Sequence, residues 1–432
     1  MAYRLSASAL LVGLVCADVL AQATTQPGSA PATQPTARTG SDSLLDRETL
    51  TDNWFGLGRA FSDQGLSARF TATQVFQRNV RGGLSTNTDR GWFSGRYDLE
   101  AEADMDRIAR IPGGRVYALA RGSWSGGIDE PSVGSLLNVN NVPFGDEPIV
   151  LWQLYYEQSL LNKKVRVRVG KIDLTNCLDC CESKSCFDGN SFANDETCQF
   201  LNKSLVNNPT IPFPDPGLGA LIHVELLEGW YVAAAVADAD AEATRTGFNT
   251  AFHGPANTFS IYEMGVLPRF ASANGTLQGG YRVGLWYDPQ AKDRFGGGVK
   301  RDDLGFYASC DQMLWRPTDK KDDSRGLGVF GRYGIADADV SEVKSFWSTG
   351  LQYRGLIPTR DKDVMSFGVG QGLLSRQAGF TRSKETVLEW FYNIEITPWL
   401  HVAPDVQYIF NPGGDASARD AVVVGMRVQV SF

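Results

Sequence analysis

The stretch Ala421–Phe432, AVVVGMRVQVSF, decides the fold. In an extended chain Val422, Val424, Met426, Val428, Val430 and Phe432 fall on one face. Ala421, Val423, Gly425, Arg427, Gln429 and Ser431 fall on the other. Successive side chains of a strand point to opposite sides, so this is the two-residue period of a β-strand. One face is apolar throughout, and the other turns small and polar toward the end. A tilted strand crosses a bilayer in about 9–11 residues, the length seen here.

The same alternation recurs upstream. Arg96, Asp98, Glu100, Glu102 and Asp104 oppose Tyr97, Leu99, Ala101, Ala103 and Met105. Arg282, Gly284, Trp286 and Asp288 oppose Tyr281, Val283, Leu285 and Tyr287. Ser348, Gly350, Gln352 and Arg354 oppose Trp347, Thr349, Leu351 and Tyr353. Such strands suit either a soluble sandwich with its polar face outside or a wide barrel with its polar face inside. Phe432 favours the barrel, since a closing aromatic resembles the signal read by the machinery that inserts outer-membrane barrels.

Export points the same way. Met1 to Ala23 carries Arg4, an apolar run from Ala7 to Val15 and the small-x-small site Ala21-Gln22-Ala23, a secretory signal peptide over 1–23. Val15 before Cys16 argues against lipidation. Beyond Ala23 there is no apolar run of the roughly 18–20 residues that a membrane helix needs. The chain is therefore soluble and secreted, or a closed barrel, because only helices and closed barrels span lipid. Gly at 46 of 432 residues, 11% aromatics and a slightly negative mean hydropathy suit a barrel, in which alternate residues meet lipid. The net charge of −8 argues against a nucleic-acid partner.

Residues 24–50, rich in Thr, Pro and Ala at their start, read as a flexible segment, and 51–65 as a short periplasmic helix. Asp52 or Asn53 is its expected cap, with Trp54, Leu57 and Phe61 on one face and Gly65 at its end. From residue 66 to 432, short connections (Asn162–Lys164, Glu228–Gly229, Thr397–Pro398) alternate with long ones (Ile128–Pro148, Thr175–Leu218, Ala243–Ser260). This predicts an all-β, closed antiparallel transmembrane barrel of about sixteen strands, wide enough for an aqueous channel. The final strand should pair with the one near Leu66–Phe76, and the long loop 175–218 should fold inward.

Four stretches resemble the carbohydrate-selective porins of the OprB type: Thr51–Arg59 with Gln64-Gly65-Leu66; Val165–Asp173 with Phe200-Leu201-Asn202; Gly305–Leu314 with Asp323–Phe330; and Pro404–Ile409 with Asn411–Gly414 and the closing strand. The resemblance implies a sixteen-stranded outer-membrane porin through which mono- or oligosaccharides diffuse passively and with mild selectivity. A general, non-selective porin is the alternative. The long loop departs from the family in carrying Cys177, Cys180, Cys181, Cys186 and Cys198. The spacing resembles a zinc site, but an exported protein favours disulfides. Cys310 alternates with Phe306 and Ala308 and should face lipid.

A pore that favours sugars needs aromatic faces beside charged groups able to make paired hydrogen bonds. The lumen-phase candidates are Arg96, Glu100, Arg121, Glu157, Arg166, Arg168 and the aromatic Trp286. An enzyme is the rival class. The three histidines, His223, His253 and His401, have no partner motif such as GxSxG, so no catalytic residue, metal or cofactor is expected. The expected partners are outer-membrane lipid, the sugar and the insertion machinery, with the protein a monomer.

Overall fold

Strand β1 (Leu66–Gly83) pairs antiparallel with β2 (Trp92–Asp104) on one side and β19 (Arg419–Ser431) on the other. Thr71 stands opposite Ser431, and Gln77 opposite Gly425. The first strand thus meets the last and the sheet closes on itself. Closure removes the free edges that lipid could not hydrogen-bond. A computed structural model gives this architecture for residues 43–87, 91–175, 187–193, 200–242, 257–320 and 323–432.

The other strands follow in chain order: β3 (Gly114–Trp124), β4 (Glu147–Leu160), β5 (Val165–Ile172), β6 (Gly217–Leu227), β7 (Trp230–Asp238), β8 (Thr258–Val266), β9 (Arg269–Ser272) and β10 (Gly275–Asp288). A small hairpin, β11 (Lys292–Asp293) and β12 (Val299–Lys300), precedes β13 (Asp303–Trp315). Then come β14 (Gly326–Ile335), β15 (Val343–Arg354), β16 (Val364–Leu374), β17 (Lys384–Thr397) and β18 (Leu400–Phe410). Both β8 and β9 pair with β10, so they form one stave interrupted at Leu267-Pro268. Proline cannot donate to the ladder, which explains the break. Counted this way the barrel has sixteen staves, all antiparallel.

Alternation sorts the side chains as expected. Val169, Met264, Leu285, Trp390, Val406 and Met426 are exposed on the outer wall, whereas Glu263, Arg282, Asp311, Arg332, Glu389 and Asp405 are buried inside. Cys310 is exposed on the outer wall, in phase with Phe306. The longest loops gather at one rim and the shortest turns at the other, but the two sets overlap. On the short-turn side 105–113, 316–325 and 355–363 run nine or ten residues, and on the long-loop side 336–342 runs only seven.

Two loops, not one, enter the lumen. The expected loop after β5 does so through its described parts, and the β3–β4 loop joins it. Glu385 accepts hydrogen bonds from Ser135 Oγ at 2.5 Å and from the Leu136 and Leu137 amides at 3.1 Å. Glu389 accepts from the Leu201 and Asn202 amides at 2.6 and 2.8 Å. The loops also hold each other: the Asn141 amide donates to Leu201 O at 2.7 Å, and the Lys203 amide to Asn138 O at 2.9 Å. Phe200 is fully buried between Phe330 and Phe391. Glycine on the wall permits this approach. A Cβ on Gly334 would lie 2.1 Å from Thr210 Oγ1, and one on Gly368 would lie 2.9 Å from the Phe200 ring.

The expected helix over 51–65 is split. Thr51, not Asp52 or Asn53, is the cap, accepting from the Trp54 amide at 3.1 Å. Asp52–Phe55 form a left-handed turn with φ between 50° and 59°. Gly56 then leads into a right-handed helix, α1 (Leu57–Asp63). The leader over 1–23, His253 and the cysteines Cys177, Cys180, Cys181, Cys186 and Cys198 lie outside the described residues.

Candidate functional site

The inward loops fill one side of the lumen and leave a cavity of about 1240 Å³ on the other. One wall is the inner face of β1–β4, carrying Arg69, Arg96, Asp98, Glu100, Glu102, Arg115 and Arg121. The opposite wall is the two loops, with Asp129, Asn138, Asn141, Lys203, Asn207 and the run Pro209 to Pro216. The strands dictate the first wall. Arg96, Asp98, Glu100 and Glu102 are two residues apart on β2, so all four point inward. Arg121 of β3 stands opposite Asp98 in register.

This wall is a ladder of paired charges. Arg121 makes a two-pronged contact to Asp98, with Nε at 2.6 Å and Nη2 at 3.1 Å. Arg96 reaches the same carboxylate at 3.4 Å. Arg115 bridges Glu102 and Glu157, each at 3.2 Å. Tyr117 donates to Glu100 at 3.0 Å. Aromatic faces are interleaved with the charges. The Arg121 guanidinium lies 4.7 Å from the Trp152 ring centre, and Trp152 Nε1 donates to Asp173 at 2.8 Å. Tyr117 and Tyr155 stack at 5.1 Å. Guanidinium groups on aromatic faces gain cation–π attraction and lose freedom to swing. The wall is therefore both polar and rigid.

On the loop side, Asp129 accepts from the Ser135 amide at 2.8 Å and the Val139 amide at 3.2 Å. Burial outweighs these donors and pushes its carboxyl up to about 7. Lys203 is exposed into the cavity, with its side chain in no ion pair among the described residues.

Of the residues singled out from sequence, Arg96, Glu100 and Arg121 border the cavity. Glu157 and Arg168 sit behind it, buried and paired at 3.1 Å, with the Arg168 guanidinium 4.1 Å from the Tyr155 ring centre. Arg166 is half-buried on β5 opposite His223 and does not border the cavity. Trp286 is in the lumen phase but 0% exposed, so it offers no face to a solute. Its ring packs beside Phe259 at 6.5 Å, in a cluster that includes Ile211 from the long loop. Sequence reasoning passed over Arg115, Tyr117, Trp152 and Tyr155. A register shift explains Trp152: Leu119 pairs with Gln153 but Ala120 with Leu151, so the phase of β4 changes there.

Residues 93–432 match the family described as carbohydrate-selective porin, OprB family. The chain belongs to that family. This porin is 21% identical over 343 residues to Porin B of Pseudomonas aeruginosa, covering 71% of this chain and 73% of that protein. It is 23% identical over 431 residues to putative porin QuiX of Acinetobacter baylyi, covering 90% and 94%. A high-pH structure of Pseudomonas putida OprB superposes with a TM-score of 0.76 over 90% of this porin and 100% of that chain, at 18% identity. The low-pH structure of the same protein gives a TM-score of 0.55 at 17% identity. These superpositions show a shared fold. The porin is an outer-membrane channel for carbohydrates, with a strand-built span and no apolar spanning helix among the described residues.

Proposed function

We propose that sugars cross by passive diffusion through the cavity between the β1–β4 wall and the two inward loops. What supports this most is the charge ladder beside half-buried aromatic side chains that line the cavity. A sugar has hydroxyl edges and C–H faces. Arg96, Arg121 and Glu100 offer oriented donors and acceptors that replace the water on its edges, while the half-buried Tyr117 and Trp152 offer surfaces for its faces. Because Arg121 is already held by Asp98, a passing hydroxyl exchanges with water and breaks no ion pair. Binding stays weak and the sugar leaves.

Glu157 and Arg168 act from behind, fixing Arg115 and Tyr155. Trp286 and Arg166 hold the lumen packing rather than the solute. The barrel works as a monomer with its short turns in the periplasm, carries no catalytic step, and presents Phe432 to the insertion machinery. The leader over 1–23 is removed on export, and the loop cysteines form disulfides.

Liposome swelling tests the reading. Vesicles holding the purified porin should swell several-fold faster in monosaccharides than in uncharged amino acids of equal size. Equal rates would make the channel a general porin.

A further inference from the structure

The two walls of the cavity treat their charges differently. On the strand wall the acids have partners: Asp98 has Arg96 and Arg121, Glu100 has Tyr117, and Glu102 has Arg115. On the loop wall Asp129 is held by backbone amides. Lys203, like the exposed Arg69 of the strand wall, is in no ion pair among the described residues. Its backbone is fixed, since its amide donates to Asn138 O and Asn202 caps the short helix α2 (Lys203–Val206) that it begins. Its ammonium group is exposed in the cavity and meets no carboxylate among the described residues. Asn138 and Asn207, half-buried on the same wall, border the cavity beside it.

The lining as a whole is acidic, with seven carboxylates against five cations among the described residues. Such a lining disfavours a solute that carries a negative charge. A lysine that is anchored at its backbone, exposed in the cavity and in no ion pair among the described residues opposes that bias.

We infer that Lys203 is a charge-specificity residue of this pore: with Asn138 and Asn207 it receives the carboxylate of an acidic sugar, so that aldonates and uronates pass alongside neutral sugars. This rests on the cavity being the sugar route. The amide groups of the two asparagines add donors for carboxylate oxygens, and a lysine holds an anion as a point charge that releases easily. At a separation of about 5 Å in water one charge is worth roughly a three- to fivefold change in occupancy.

The test compares swelling rates in glucose and in sodium glucuronate for the intact porin and for Lys203→Gln and Lys203→Arg, with salt matched. In the parent, glucuronate should enter within a few-fold of glucose. Lys203→Gln should slow glucuronate about three- to fivefold and leave glucose unchanged, and Lys203→Arg should keep the parental ratio. An unchanged glucuronate-to-glucose ratio in Lys203→Gln overturns the inference. So does an equal loss of both sugars, which marks a merely structural lysine. A parent that admits no glucose at all instead overturns the sugar route itself, which separates the two failures.

Discussion

Arg121 and Asp129 both border the cavity proposed as the sugar route, one pinned and one titratable. Arg121 is pinned by a two-pronged contact to Asp98 and by the Trp152 face, so its remaining N–H groups point in fixed directions. Asp129 changes the charge of the lining with pH. Its carboxyl is raised from 3.8 to about 7 by burial, so it is largely neutral at pH 6 and largely charged at pH 8. Rising pH adds a negative charge to the cavity. The cation-to-anion permeability ratio, read from reversal potentials in a salt gradient, should therefore rise between pH 6 and pH 8. Asp129→Asn should remove most of that step; a step of the same size in the variant would assign it to another group. The period-two pattern of β2 put Arg96 and Glu100 on the lumen face and left them legible in the sequence. Trp286 was legible as lumen-facing but not as covered. The cover comes from a loop distant in sequence, and alternation along one strand carries no trace of it.

At the scale of elements, the inward loops are held by carboxylates of the barrel wall at β17. Glu385 and Glu389 lie four residues apart on β17, so both face the lumen, and each takes loop amides on its two oxygens. Glu389→Gln keeps the shape but leaves one acceptor where there were two. A buried amide without a partner costs about 1–3 kcal/mol. The expected outcome is a barrel that still migrates as a folded, heat-modifiable species while protease cleaves within 200–216 at least several-fold faster. An unchanged cleavage rate would mean that the aromatic packing of Phe200 holds the loop unaided. The entry of the β5–β6 loop could be read from its length and its apolar, Pro-rich end. The entry of the β3–β4 loop could not, because its anchors are backbone amides, which any sequence has. The wall glycines Gly334 and Gly368 are the sequence trace of close approach, legible only once the loop that approaches them is known.

At the scale of the whole molecule, sixteen staves enclose the lumen, and the inward loops leave a cavity on the β1–β4 side, which is the proposed route. The barrel itself was readable from Ala421–Phe432, from the repeated alternation and from the asymmetry of the connections. Closure by β1 and β19 follows, since a spanning sheet cannot leave an edge in lipid. The path was less readable, because it is defined by what the loops leave empty. The most direct test of a single sugar-lined path is a single-channel recording in planar bilayers with glucose titrated into both chambers. Parent channels should show a saturable fall in ion current. Arg121→Ala should raise the open current and weaken the sugar block by roughly five- to tenfold, about 1–1.4 kcal/mol. A parent channel that conducts ions but shows no sugar block at any concentration would contradict a selective path, and a block of equal strength in Arg121→Ala would place it away from this wall.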